Sequence, residues 1–419
     1  MRKKFLLVEP NFPIPIKSKN HKNFLPIGLL KLASYYRHKG HIVKLVRGKL
    51  GLEDFDFVPD GILITSLFTY WSSYVKDSVD YYRKIFPNAR ITVGGIYASL
   101  MPDHCLKYTK CDAVNIGIHK ESEKFLPAYD LITNQNPHPI DFQIIHTTRG
   151  CPRRCRFCGT WKIEPEFKSK KSIKKEIIRN KIIFYDNNLL KNEFIENILQ
   201  ELIELKKNHK IKWCESQSGF DGRVLIEKPH LAELLKKAGF RYPRIAWDWK
   251  YIDYNKIKKQ LNILNNVGFN SKDIFVFMLY NWDLMFDEME KKRIKCWKWN
   301  VQVSDCRYRP LYQTYDNYKS NKAQTSKDYF IHEIWTDELV KQFRQNIRRQ
   351  NICIRQNVSF YSSDFEHKKV NKEIIKKTRK MDHQEIEFYL DKLNIEYWSP
   401  KNITYPNSLK KIERTISIH

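Results

Sequence analysis

Thr147-Thr148-Arg149-Gly150-Cys151-Pro152-Arg153-Arg154-Cys155-Arg156-Phe157-Cys158 carries three cysteines at C-x3-C-x2-C spacing, just after the short apolar run Ile144-Ile145. The apolar run reads as a strand and the cysteine stretch as the loop leaving it. Thiolates are the ligands of iron–sulfur clusters, whose usual all-protein ligation takes four. Here three stand close together, so a four-iron cluster on Cys151, Cys155 and Cys158 would keep one iron open to a further ligand. A structural zinc site normally wants four N or S donors in a closed tetrahedron, and its signature is a second C-x2-C or a Cys/His pair. None follows: Cys214, Cys296, Cys306 and Cys353 stand alone. The spacing favours a cluster over zinc; a zinc-bearing nucleic-acid-binding protein is the alternative outside enzymology.

Residues 143–158 closely resemble the cluster loop of the radical S-adenosylmethionine (SAM) superfamily, down to the aromatic Phe157 before the third cysteine. In those enzymes the amino and carboxylate groups of SAM chelate the open iron. The resemblance implies a [4Fe-4S] cluster, SAM as co-substrate, and an α/β fold with a partial (β/α)6 radical SAM barrel over residues 143–315. The chain's own pattern agrees with such a series. Strands are expected at Gln143–Thr147, Ile182–Tyr185, Ile211–Ser216, Arg244–Trp247, Ile274–Leu279 and Trp297–Val303. Amphipathic helices are expected at Phe194–Leu205, His230–Ala238 and Ile257–Val267, the last two closed by Gly239 and Gly268.

Function in such barrels collects at the carboxyl ends of the strands, where Asp186, Asn187, Asn188, Gln217, Asp221, Asp248, Tyr280, Asn281 and Asp305 are expected. By resemblance, Asp186-Asn187-Asn188 corresponds to the turn that contacts the SAM amino group. Gln217 and Asp221 match a word near the ribose, and Asp248 stands where many relatives have a Glu. An Asp at a strand end is often only a helix N-cap.

Residues 1–142 alternate strands and helices: Phe5–Val8, helix Ile27–His38 capped at Gly40, His41–Val46, Gly61–Ser66, helix Tyr74–Phe86, Ile91–Val93 and Ala113–Ile116. Such alternation implies a doubly wound, Rossmann-like parallel sheet, with ligand loops at 9–26, 66–73 and 94–102. The unit resembles the cobalamin-binding-type domain that precedes many radical SAM barrels, through Pro26-Ile27-Gly28-Leu29 and Gly94-Gly95-Ile96-Tyr97-Ala98 followed by Pro102. The family commonly has His where Tyr97 stands, and a Gly-Glu-Gly-Glu-like word where this chain has Gly117-Ile118-His119-Lys120-Glu121. No D-x-H-x-x-G word marks a lower axial ligand to cobalt, and His21, His104 and His119 read as loop polar residues. The resemblance implies cobalamin, or a domain that keeps the fold and has lost the cofactor. With only Cys105 and Cys111 in this unit, the methylthiotransferase branch fits poorly.

A Pro-containing linker (Pro137, Pro139) joins the two units, and a third region, 316–419, reads as basic and mainly helical. Thr336 is expected to cap a helix running to about Gln350, with Leu339, Val340, Phe343 and Ile347 on one side and Lys341, Arg344, Arg348 and Arg349 on the other. The segments Lys368–Lys380 and His383–Leu393 follow, packed outside the barrel as a cap or else covering its mouth. Cys306 and Cys353 are expected to be buried thiols.

The 419 residues are too many for one ordinary core, and 42% hydrophobic content supports two or three. Met1-Arg2-Lys3-Lys4-Phe5-Leu6-Leu7-Val8 is too short for a signal-peptide core, and no apolar run reaches a membrane span. These features point to a cytoplasmic protein without a membrane partner. The net charge of +28 would attract nucleic acid or nucleotides, yet its lysines are spread along the chain and charge alone does not decide. The resemblance implies reductive cleavage of SAM to a 5′-deoxyadenosyl radical that abstracts hydrogen from an unidentified small molecule, peptide or nucleic acid. A reductant such as flavodoxin or ferredoxin would supply the electron, and bound cobalamin would direct the outcome to methyl transfer. Cobalamin-independent modification of RNA, a nucleobase or a peptide is the second enzymatic reading.

Overall fold

The computed structural model describes residues 1–14, 25–133, 140–363 and 371–407. His21, Pro137, Pro139, residues 368–370 and the middle of the loop at 9–26 lie outside the described residues.

Residues 1–115 build a five-stranded parallel sheet in the order β2-β1-β3-β4-β5. Its strands are β1 (Lys4–Glu9), β2 (Ile42–Arg47), β3 (Gly61–Ser66), β4 (Arg90–Gly95) and β5 (Ala113–Asn115). Helices α1 (Ile27–His38), α2 (Ser72–Ile85), α3 (Ile96–Leu100) and α4 (Pro102–Thr109) connect them, and α5 (Asp130–Thr133) follows. Period-two alternation divides β1 between two cores. Leu6 and Val8 pack with Val75, Val79 and Tyr82 of α2, whereas Leu7 packs with Leu29, Leu30 and Ala33 of α1. A strand buried on both faces reads as a continuous apolar run, as Phe5-Leu6-Leu7-Val8 does. The strand order reverses beside β1, which places the ligand crevice outside the carboxyl ends of β1 and β3. Gly40, at φ 81°, ends α1 as the sequence implied.

Gly95 closes β4 at φ 101°, and a Cβ there would stand 2.1 Å from the Ser66 carbonyl oxygen. A side chain therefore meets both a forbidden backbone region and the neighbouring strand. Gly95→Ala is expected to cost roughly 1–3 kcal/mol, read as a lowered denaturation midpoint. Unchanged stability would show that β3 and β4 do not approach this closely.

The second series contains β6 (Phe142–Ile145), β7 (Thr148–Arg149), β8 (Lys168–Ser169), β9 (Lys181–Phe184), β10 (Trp213–Ser216), β11 (Arg244–Ala246), β12 (Phe275–Tyr280) and β13 (Gln302–Arg307). Strands β6, β9 and β10 pair in parallel, as do β11, β12 and β13. Parallel bridges Cys214↔Phe240 and Phe220↔Ile245 join the two sheets. The short antiparallel pair β7–β8 flanks the cysteine loop. Helices α6 (Thr160–Ile163), α7 (Ile195–Lys207), α8 (Gly222–Glu227), α9 (His230–Lys237), α10 (Tyr254–Asn266) and α11 (Phe286–Lys298) intervene. Gly239 and Gly268 end α9 and α10 with positive φ. The core of this series runs from Ile145 to Ile347, while Phe142 and Ile144 belong with the α1 face of the front sheet.

The expected sixth strand at Trp297–Val303 is displaced. Trp297 and Lys298 form the last turn of α11, Asn300 turns the chain at φ 56°, and the strand begins at Gln302. The tryptophan alternation was a helix end imitating a strand. Asp305 consequently sits inside β13 rather than beyond it. Cys306, expected to be buried, is exposed, because strand alternation turns it to the open side.

Helix α12 (Asp337–Gln356) is capped by Thr336, whose hydroxyl accepts from Leu339 N at 3.3 Å, and runs beyond the expected Gln350 to Asn357 at φ 59°. Arg344 and Arg348 are exposed, while Val340, Phe343 and Ile347 are buried. Along the free edge of β13, the Asn351 side chain accepts from Val303 N at 2.9 Å and donates to Val303 O at 2.7 Å. Helices α13 (Asn371–Thr378) and α14 (His383–Lys392) surround a small core of their own with Phe360, Tyr361 and Trp398. Among the described residues no helix is long and apolar enough to cross a membrane.

Candidate active site

The cysteine loop is fixed from both ends. At its start, Asp186 at the end of β9 is 1% exposed. Its Oδ1 accepts from the backbone N–H groups of Thr147 and Thr148 and from both their hydroxyls. Burial pushes this carboxyl's pKa up, against the pull of those four donors. Gly150 takes φ 70° and donates its N–H to Glu164 at 2.6 Å. Further along, Arg153 makes two 3.1 Å bonds to Asp221, and Arg156 pairs with Asp283 while lying over the Trp282 ring. Two of the three loop arginines thus bolt the loop to the strand ends.

Cys151, Cys155 and Cys158 are free and half-buried. Asn188 Nδ2 stands 3.9 Å from Cys151 Sγ, and Thr160 Oγ1 3.3 Å from Cys158 Sγ. Trp161 donates from Nε1 to the Cys155 carbonyl at 3.1 Å. Burial raises the Cys155 thiol's pKa, and the charges of Cys158, Asp248 and Cys151 add to it. The three sulfurs and Asp248 therefore share one neighbourhood. Among the described residues no group of three or more His, Cys, Asp or Glu is close enough for a single metal ion. A cubane differs from such a site in taking each thiolate on a separate iron.

The other expected residues divide. Asp186 Oδ2 and Asn188 Oδ1 are buried acceptors without a protein partner, beside the loop and suited to an N–H donor. Asn187 bonds Thr160 at 3.2 Å. Asp221 is occupied by Arg153 and Arg223, which hold its carboxyl below the usual range despite burial. Gln217 donates to Glu215, itself paired with Arg244 at 2.6 Å. Phe157 faces the front unit. Tyr280 and Asn281 are buried, and the Asn281 amide is taken up by protein partners, donating to Phe330 O at 2.9 Å and accepting from His332 N at 3.0 Å. The half-buried His146, whose buried Nδ1 is unpartnered, and the fully buried Lys292 went unmarked in the sequence: Lys292 sits in no motif, and His146 precedes the cysteine spacing.

Between the carboxyl edge of the front sheet and the cysteine loop lies a cleft of about 220 Å³, walled by Phe68, Tyr70, Ile96, Leu100, Phe157 and Leu279, with Arg307–Leu311 at its rim. Among the described residues no front-unit histidine lines it. His104 bonds the Tyr97 hydroxyl at 2.7 Å, and His119 accepts from Ser122 N.

The fold resembles that of a radical SAM methyltransferase. TsrM from Kitasatospora setae, solved with cobalamin and a [4Fe-4S] cluster bound, matches at a TM-score of 0.58 and 14% identity over 75% of this chain and 77% of that one. TsrM with tryptophan substrate and the SAM analogue aza-SAM matches at 0.53 and 14%, over 74% and 75%. The cofactors in those structures are the set expected here from the sequence. No protein-family model and no curated protein matches the chain. At this identity the likeness is one of fold.

The two series also meet through charge. Glu123 bonds Lys31 of α1 at 3.0 Å and Arg149 of β7 at 2.6 Å. Burial works against this carboxylate's charge, but Arg149 and Lys31 outweigh it and lower its pKa. A depressed carboxyl contributes stability that is present above its unfolded value near 4.5 and lost as pH falls through the folded value. Glu123→Gln is expected to flatten the acid limb of the stability profile below about pH 4.5. An unchanged limb would show that the triad does not form.

Proposed function

We propose that the chain is a radical SAM enzyme, with a cobalamin-binding-type unit at 1–142, a radical SAM core at 143–315 and a basic, mainly helical region at 316–419. The observation that carries this reading is the cysteine loop itself. Three half-buried thiols stand on a backbone anchored by Asp186, Asp221 and Asp283, in a fold shared with a radical SAM methyltransferase. The donor set suits a [4Fe-4S] cluster: three thiols, with an amide and a hydroxyl placed to hydrogen-bond their sulfurs. Cys151, Cys155 and Cys158 would hold it, and the unpartnered acceptors of Asp186 and Asn188 would receive the SAM amino group. What a reduced cluster supplies is the electron for cleaving SAM to methionine and a 5′-deoxyadenosyl radical. The chain's own residues bind and orient: Asp186 fixes the loop, Phe157 and Leu279 wall the cleft toward the substrate, and Asp248 offers an acceptor from β11. The electron would come from a small redox protein such as a flavodoxin or ferredoxin.

Methyl transfer is the finer reading, favoured by the TsrM likeness and by a cleft that opens between the front sheet and the loop. Its apolar walls suit the face of a corrin. At about 220 Å³ it lies below the roughly 300–1,000 Å³ of pockets that enclose drug-sized ligands. Cobalamin would therefore require the segments at 68–71 and 307–311 to part.

Anaerobic reconstitution with ferrous ion and sulfide tests both levels. The expected result is a brown protein carrying four irons per chain that forms 5′-deoxyadenosine from SAM under dithionite. Cobalamin surviving desalting supports methyl transfer. A brown, active protein that keeps no cobalamin supports cobalamin-independent modification instead. A colourless protein that leaves SAM uncut, or one that holds zinc in place of iron, overturns the proposal.

A further inference from the structure

Helix α11 buries a lysine completely. Lys292 is 0% exposed, and its Nζ donates to Trp247 O at 2.6 Å and Trp249 O at 3.0 Å. Those carbonyls belong to the residues on either side of Asp248. The same ammonium lies 5.1 Å from the centre of the Trp247 ring. Burying an ammonium is expensive unless its donors are satisfied, and an apolar residue of similar size usually fills such a space at lower cost. Burial lowers the Lys292 pKa to about 8, with Asp248 the largest charge acting against that fall. A lysine kept here at that cost needs a return.

Asp248 supplies one. Ile245 of β11 and Trp247 just past its end, whose N–H bonds Phe277 O at 2.9 Å, are both 0% exposed, whereas Ala246 between them is open to solvent. Alternation places Asp248 on the same open side as Ala246. Register extends that side across the sheet: Ala246 lies beside Phe277 and Phe277 beside Ser304, and at the next level Leu279 lies beside Cys306. Leu279 is a wall of the cleft that Phe157 of the cysteine loop also lines. The charge of Asp248 reaches both Cys155 and Cys306. No protein donor bonds its carboxylate among the described residues; only the charges of Lys292 and Arg223 act against its burial.

We propose that Lys292 is a positioning residue, which clamps the Trp247 and Trp249 carbonyls and so aims the Asp248 carboxylate at a hydroxyl or amino donor of SAM bound at the cysteine loop. This rests on the functional reading above and adds to it a residue outside every motif. Lys292 touches no ligand; it acts through the turn that it holds.

A double-mutant cycle on the reconstituted full chain tests it. SAM affinity is read from the change that SAM causes in the electron paramagnetic resonance spectrum of the reduced cluster, and iron content is read in parallel. Asp248→Asn and Lys292→Met are each expected to weaken SAM binding about tenfold, the loss of one charge-assisted hydrogen bond. The double variant is expected to stay within about twofold of Asp248→Asn alone, because both changes remove the same contact. Iron content is expected to match the wild type throughout. Should Lys292→Met not fold, Lys292→Gln keeps an N–H donor for one carbonyl and is expected to retain part of the affinity. Losses that multiply to about a hundredfold, or a Lys292 variant that binds SAM normally, overturn the inference alone. A wild-type chain that takes up neither iron nor SAM overturns the functional reading and this inference with it.

Discussion

Cys155→Ala, prepared without oxygen, is expected to stay colourless and to form no detectable 5′-deoxyadenosine. The change removes one sulfur and little else. Cys155 contributes its backbone carbonyl to Trp161 and to the N–H of Cys158, and alanine keeps both contacts. The loop's anchors at Asp186, Asp221 and Asp283 belong to other residues. Apo-protein stability should therefore stay within about 0.5 kcal/mol of the parent, as for surface changes that touch no special feature. Loss of colour with stability retained would mark Cys155 as a ligand. Cys306→Ala serves as the control and should remain brown, since the exposed Cys306 belongs to β13 and not to the loop. A Cys155→Ala protein with full iron would end the cluster assignment.

Arg293→Met is expected to cost about 3–5 kcal/mol, the usual penalty for stranding one member of a buried ion pair. Arg293 and Glu290 are both fully buried on α11. The guanidinium makes two bonds to the Glu290 carboxylate, one to Gln350 of α12, and one each to the carbonyls of Pro400 and Asn402. It also lies 5.2 Å from the Trp398 ring. One side chain thus ties α11, α12 and the 398–402 segment together. Methionine would leave a buried carboxylate without its cation and several acceptors without a donor. Chemical denaturation measures the loss. The double variant Glu290→Leu/Arg293→Met should recover part of it, because no charge is then stranded. A single variant as stable as the parent would show that this cluster does not form.

How much of this was legible beforehand depended on what each stretch asks of its neighbours. The buried parallel strands announced themselves because both faces are apolar, as in Phe5-Leu6-Leu7-Val8 and Phe275–Tyr280. Gly40, Gly239 and Gly268 marked helix ends because each takes a positive φ that other residues avoid. The cysteine loop was legible because ligation needs a fixed spacing. Helix α11 was not, for a physical reason: its buried face includes Glu290, Lys292 and Arg293 beside Phe286, Met289 and Cys296. Charged letters on an inward face erase the apolar stripe, so the strand-like alternation of Trp297 and Trp299 prevailed. Asp221 was expected near the ribose of SAM, but nothing in the order of letters told that Arg153 would claim it together with Arg223. The Arg153 pairing is made by the fold across 68 residues of chain, and only the fold reveals it.

The outermost strand of a sheet is ordinarily a template waiting for another molecule. On β13, Asn351 answers the backbone of Val303 with both halves of its amide, offering what a neighbouring strand would offer. One side chain from a helix thereby stands as a stopper at the end of the row. Losing it would invite self-association, an assembly hazard written into a single carboxamide.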